Sequence, residues 1–281
     1  MKKYFFKLLC FLFVRNEMER KVLYETFFGM GGEKLFFDKY LQIIETKMIH
    51  SLSIARLHTQ TFTKYRNKYC GKTVVLIAAG PSVKDFIPIE NAIYVGCNRA
   101  CLLTNIRFDY LFSIDRIGIE MCKKEFFDYP CTKFIGDQNL GKEYQIPFSW
   151  SLAGKNEINY YKTNAGRFED ILPVDLTTQP LLNSTSVAIQ AMQFILWTNP
   201  KKIYLVGIDC TTARREHFIN STRERDVRSR GENPDFNDSQ AIIDWGKIKD
   251  FAALYYPDTD IISVNPVGLA GMFNEIRTVS K

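Results

Sequence analysis

The sequence predicts an α/β fold: a Rossmann-like, doubly wound, mainly parallel sheet with an N-terminal helical extension. Three observations carry this expectation. From about residue 69 onward, short runs of Val, Ile, Leu and aromatic residues alternate with stretches of helical period, the pattern of a parallel sheet covered by helices on both faces. The runs are nearly continuous in apolar residues, as strands buried on both faces are. Four of them end in small polar residues, and the strand ends of such a sheet are where ligands bind.

Residues 1–15 begin with Lys2 and Lys3 and hold a short apolar stretch interrupted by Lys7. No small-x-small cleavage site follows, which argues against a signal peptide, and the stretch is far short of the roughly 20 apolar residues that span a bilayer. Two readings remain: a helix packed on its own domain or on a partner, a homo-oligomer contact included, and an interfacial helix whose basic residues meet an anionic membrane surface. From residue 33 to about 65, Leu35, Phe36, Tyr40, Ile43, Ile44, Met48, Ile49 and Leu52 recur at helical spacing. His50 and His58 read as helix residues near a packing face, not as metal ligands. Residues 1–68 are thus the helical extension and 69–281 the sheet domain.

Strands are expected at residues 73–79, 92–97, 109–114, 132–135, 202–206 and 260–264. Helices are expected at 100–105, 117–127, 184–198, 239–256 and 269–277. Between 140 and 183 the pattern breaks into an irregular insertion rich in aromatic residues, among them Trp150, Tyr160 and Tyr161. Such a loop either covers a site or packs as an aromatic subdomain.

Composition narrows the class. A chain of 281 residues, 46% hydrophobic, can bury a full core. Its seven cysteines are an odd set without a C-x-x-C pair, the usage of reduced thiols in a cytoplasmic protein, not of a disulfide or zinc framework. Under the interfacial reading of residues 1–15 that cytoplasmic protein rests on the inner membrane. A net charge of +6 is too modest to imply nucleic acid as a partner.

The chemistry concentrates at strand ends: Gly80-Pro81-Ser82, Cys97-Asn98-Arg99, Ser113-Ile114-Asp115 and Gly207-Ile208-Asp209. Asn183-Ser184-Thr185-Ser186 opens a helix, and Asn265 follows the last strand, where it would close a crevice from the far side. Gly80-Pro81-Ser82 is neither a dinucleotide G-x-G-x-x-G nor a Walker loop. Alone it reads equally as an anion site and as a tight structural turn. Together the four endings favour a site. Asp258-Thr259-Asp260 precedes a strand instead of ending one, so it reads as turn residues, and no metal site is expected. Residues 211–231 place Arg214, Arg215 and Arg223 with three further arginines against Glu216, Glu224 and Asp226. Arginine forks suit phosphate and carboxylate, so this segment is either a basic lid over an anionic ligand or a solvated charged loop. Within it, His217 is the only histidine outside the N-terminal helices and a candidate general base; Asp115 is the other.

The order of these motifs resembles the bacterial 6-hydroxymethylpterin diphosphokinase-like family, which includes the motility-accessory-factor glycosyltransferases. It carries Gly80-Pro81-Ser82, Asn98-Arg99-Ala100, the strand ending in Ser113-Ile114-Asp115, the Asn183–Ser186 helix start and the strand ending in Gly207-Ile208-Asp209. The same skeleton is similar to the small bacterial sialyltransferases of lipooligosaccharide synthesis. The resemblance spans residues 69–273. It implies a glycosyltransferase that moves an acidic sugar, sialic acid-like or Kdo-like, from a CMP-activated donor to a bacterial surface glycan. By it, Gly80, Pro81 and Ser82 approach phosphate or ribose, and Asn98 and the helix start Ser184, Thr185 and Ser186 contact base and phosphate. Asp209 then lies near the ribose, with Arg99, Gly207, Ile208 and Asn265 as further nucleotide-binding residues. No cofactor is required; magnesium enters only under the alternative, a diphosphokinase with Asp115 as a metal ligand. A non-catalytic nucleotide-binding scaffold is the third reading. The chain departs from the sialyltransferase pattern where those enzymes carry a His before the next long helix, since residues 232–239 hold none.

Overall fold

Thr73–Ile77 (β1) is five residues of Thr, Val, Leu and Ile, and its alternate side chains feed two different apolar layers: Val74 and Leu76 on one face, Val75 and Ile77 on the other. The same partition recurs along the sheet in a computed structural model that describes residues 53–137, 146–147, 150, 156–164, 172–210, 218 and 233–278. The chain divides into two compact units, Met1–Arg56 and Leu57–Lys281, and the second, which takes in residues 57–68, holds everything that follows.

Seven further strands join β1: Ile93–Cys97 (β2), Tyr110–Ser113 (β3), Thr132–Asp137 (β4), Ile158–Lys162 (β5), Lys202–Val206 (β6), Asp260–Val264 (β7) and Asn274–Ile276 (β8). They form one sheet of order β5-β4-β3-β2-β1-β6-β7-β8. Every pairing is parallel, so the expected "mainly parallel" sheet is wholly so. The chain winds outward from β1 to β5, returns through a helix, and winds outward again from β6. The fold is α/β and Rossmann-like, with its switch point between β1 and β6.

Among the described residues of the sheet domain the helices include Arg116–Glu120 (α1), Lys123–Asp128 (α2), Val187–Trp197 (α3) and Pro234–Tyr255 (α4). Every residue of α3 is buried, as befits a returning crossover helix that is apolar almost all round. It lies in the larger layer, where Phe112, Phe134 and Phe194 pack with ring centroids 4.5 and 4.7 Å apart along the series. Residues 57–62 are helical and join this layer through Phe62, whose carbonyl accepts from Trp197 Nε1 at 3.0 Å.

His58 confirms its reading as a packed helix residue. Lys162 N donates to Nε2 (2.8 Å), which fixes the neutral tautomer with the proton on Nδ1, shared between the carbonyls of Leu176 and Gln179. Burial pushes its pKa down to about 4 against those carbonyl contacts, and the Lys162 charge adds to the shift.

Several expected elements change. The insertion 140–183 contains strand β5, whose Ile-Asn-Tyr-Tyr-Lys sequence is too polar to stand out at a sheet edge. Residues 269–277 form no helix but end in β8, three exposed residues. Residues 98–102 are a 3-10 turn instead of the helix at 100–105. The helix at 117–127 is two short ones, broken at Met121-Cys122. The helices expected in residues 1–52, His50 among them, and most of the basic segment 211–231 lie outside the described residues. No helix among the described residues is long and apolar enough to cross a membrane.

Candidate functional site

The turns that follow β1 and β6 are locked to one another across the switch point. Ala78 N donates to Val206 O (2.9 Å) and Gly80 N to Gly207 O (2.8 Å), so the parallel pairing continues beyond the strands. Gly80 permits this approach: a Cβ there would lie 2.4 Å from Gly207 O and 2.5 Å from Asp209 Oδ2. Gly207 turns the chain at φ +67, a backbone conformation glycine adopts without cost. Asp209 then reaches back. Its Oδ2 accepts from Ser82 N (3.2 Å) and its Oδ1 from Ser82 Oγ (2.5 Å).

This arrangement decides how Gly80-Pro81-Ser82 can act. The N–H of Gly80 goes to Gly207, that of Ser82 to Asp209 and that of Val83 to Gly80 O, while Pro81 has none. The turn is therefore a close-packed wall whose backbone donors are used within the fold, not an open nest of N–H groups. Ile208 is buried in the α3 layer, and Asp209 O accepts from Gly268 N at 2.6 Å, which fixes the β6 turn from the β7 side.

The ends of β2 and β3 converge on α1. Asp115 caps that helix, its Oδ1 accepting from Gly118 N at 2.6 Å. Asn98 takes a left-handed backbone at φ +49, which Asn tolerates, and lays its amide over Gly118: a Cβ there would be 2.7 Å from Asn98 Nδ2. Arg99, next in sequence, is buried at 3% exposure and is part of the wall's interior.

The start of α3 is positioned from three sides. Leu182 N donates to Gln193 Oε1 (2.8 Å) and its carbonyl accepts from Gln190 Nε2 (2.9 Å). Asn183 N donates to Asn164 Oδ1 (2.6 Å). Ser184 Oγ donates to Asp244 Oδ2 on α4 (2.7 Å), whose other oxygen receives Gln240 Nε2 (3.1 Å) and Lys247 Nζ (3.2 Å). Thr185 and Ser186 complete the start, Ser186 at the cap position without a side-chain cap bond. On the far side, Asn265 exchanges hydrogen bonds with Thr278: Nδ2 donates to Oγ1 (2.6 Å) and Oδ1 accepts from Thr278 N (2.8 Å). Its amide thereby holds the chain after β8.

The topology thus sets out most of the expected residues along one carboxyl edge: Asp115 after β3, Asn98 after β2, Gly80–Ser82 after β1, Gly207–Asp209 after β6 and Asn265 after β7. It brings two groups into contact, Gly80 and Ser82 with Asp209, and Asn98 with Gly118 beside Asp115. Arg214, Arg215, Arg223 and His217 lie outside the described residues. Gly118, Asn164 and Asp244 are the positioning residues the sequence did not reveal; a helical Asp such as Asp244 carries no signal until its partner is known. Among the described residues no group of three His, Cys, Asp or Glu side chains is placed to hold a metal ion.

A cleft of about 570 Å³ opens at the opposite end of the sheet, before β2, β3 and β4. Its polar groups serve the fold: Tyr94 hydroxyl bonds Ile89 N (2.7 Å) and Ile89 O (2.9 Å), and Asp109 Oδ2 accepts from Tyr94 N (2.8 Å). The carboxyl edge, at the switch point, is the candidate site.

No protein-family model and no curated protein sequence matches the chain. Among solved structures, the chain is similar to the sialyltransferase CstII from Campylobacter jejuni, described in complex with the substrate analogue CMP-3FNeuAc. The identity is 12% and the TM-score 0.41, over 73% of this chain and 86% of that one.

Proposed function

We propose that the chain is a glycosyltransferase that moves an acidic sugar from a CMP-activated donor to a bacterial surface glycan. The observation that carries this reading is the switch-point latch: two turns of small residues, held by Asp209 on Ser82, make a firm wall at the position where doubly wound sheets bind nucleotides. The motif resemblance supplies the donor class.

Because the N–H groups of Gly80, Ser82 and Val83 are spent within the fold, the phosphate charge is assigned to Arg214, Arg215 and Arg223. The acceptor hydroxyl attacks the anomeric carbon, the bond from that carbon to the phosphate oxygen breaks, and CMP leaves. The hydroxyl proton passes to His217. Asp115 is the less suited base, since its carboxylate caps α1. The donor brings its own leaving group, so the chemistry needs no metal.

Calorimetry with CMP and CMP-sialic acid tests the reading, with binding of both expected. No heat or thermal shift at millimolar nucleotide would overturn it. Magnesium-dependent ATP binding without a CMP response would point to the diphosphokinase, and CMP binding without turnover on any sialylatable glycan to a scaffold. Residues 1–15 are assigned to the anionic membrane surface. Their deletion is expected to abolish co-sedimentation with vesicles containing phosphatidylglycerol, and unchanged sedimentation would refute that role.

A further inference from the structure

In the half of the sheet formed by β2 to β5, the buried polar atoms without a hydrogen-bond partner among the described residues include Asn98 Oδ1 and the Tyr161 hydroxyl. A buried hydroxyl without a partner is unfavourable to folding, and Phe at position 161 would fill the same volume without that cost. The surroundings are built around this ring. Tyr161 is the penultimate residue of β5 and pairs with Gly136 of β4. A Cβ on Gly136 would stand 2.7 Å from Tyr161 Cζ and 2.8 Å from its hydroxyl oxygen, so β4 gives up a side chain to let the ring's polar end pass over it. Beyond lie Ile114, whose Cγ1 meets the same Gly136 position, and Phe112, whose ring centroid is 5.9 Å from that of Tyr161. Burial holds the phenol protonated far above its ordinary range, and the Cys97 thiol and the Asp115 carboxylate act in the same direction.

Asp115 relates the two atoms: its carboxylate holds Gly118 beneath Asn98 and acts on the Tyr161 phenol. Asn98 lies over Gly118, and Gly118 N is held by Asp115. An amide oxygen and a carboxylate accept from hydroxyls, while a neutral phenol both donates and accepts. We propose that Asn98 Oδ1 and the Tyr161 hydroxyl form the sugar subsite of the crevice, receiving hydroxyl groups of the transferred ring, with the phosphate at the β1–β6 end. The Tyr161 hydroxyl is buried, so its contact with the sugar runs through one bridging water. This assignment rests on the nucleotide-sugar reading above.

The test is the ratio of affinities for CMP-sialic acid and CMP, measured by calorimetry on the full chain and on Tyr161→Phe, with the melting temperature of each. The expected result is an equal or higher melting temperature for the variant and a ratio that falls about tenfold, or about 1.4 kcal/mol. A melting temperature lower by several degrees would show that the hydroxyl serves the fold and would overturn the assignment. An unmoved ratio, with both ligands still bound by the unaltered chain, would overturn the subsite alone. Failure of the unaltered chain to bind either ligand would overturn the nucleotide-sugar reading and the subsite with it.

Discussion

The Asp209 carboxylate accepts from both the backbone N–H and the hydroxyl of Ser82, joining the turn after β6 to the turn after β1. Asp209→Asn keeps the shape but turns the amide NH2, itself a donor, toward one of the two Ser82 donors. Loss of this charged acceptor is expected to cost about 1.5–3 kcal/mol, and Ser82→Ala about 1 kcal/mol, because the backbone bond survives. The urea midpoint, with an unchanged slope, reads both. Equal losses for the two would contradict the bidentate role.

Two glycines should respond to alanine with opposite signs. Gly80→Ala drives a methyl against Gly207 O at 2.4 Å, a backbone atom that cannot step aside, and should destabilise by about 1–3 kcal/mol while lowering nucleotide affinity. Gly246, inside α4, has nothing within 4 Å of an added Cβ, so Gly246→Ala should stabilise by about 1 kcal/mol through helix propensity. Thermal denaturation of the pair against the unaltered chain checks the contrast.

His58 ties stability to pH. Its folded pKa, about 4, lies below its unfolded value near 6.5, so the unfolded chain binds the extra proton first. The stabilisation of neutral His58 is therefore complete above pH 6.5 and lost as pH falls toward 4, about 3 kcal/mol across that window. Urea titrations at pH 7 and pH 5 should show the decline. In His58→Gln the histidine's share of it should vanish.

Asp115 and His217 separate capping from proton transfer. Asn is as good a helix cap as Asp, so Asp115→Asn should leave stability within about 0.5 kcal/mol and turnover largely intact, whereas Asp115→Ala loses about 1 kcal/mol with the cap. His217→Ala should abolish turnover yet retain CMP affinity. Turnover lost in Asp115→Asn and kept in His217→Ala would reverse the assignment of the base.

The central strands were legible because β1, β2, β3, β4 and β6 lie between layers of helix and must be apolar on both faces, and their polar endings stand out against such runs. Strand β5 was not, because at the edge only alternate residues, Asn159 and Tyr161, are buried, and neither belongs to an apolar run. Strand β8 is exposed throughout and gives no burial signal at all. The same physics governs the site. Gly80, Ser82 and Asp209 announce themselves as turn residues after strands, but that Asp209 spends its carboxylate on Ser82 depends on a cross-sheet contact no local pattern contains. Tyr161 gains meaning only from its register with Gly136.

Lys202–Val206 lies beside Thr73–Ile77 although strands β2 to β5 intervene in the chain. During synthesis from the amino end, β1 to β5 can be made and paired while one side of β1 still has no neighbour and Ser82 no carboxylate to hold. The crevice is consequently among the last features of the sheet to be assembled. A ribosome-stalled chain ending before residue 202 would present a half-sheet whose Ser82 has no partner, and under the proposed function nucleotide affinity would appear only after Asp209 has left the exit tunnel.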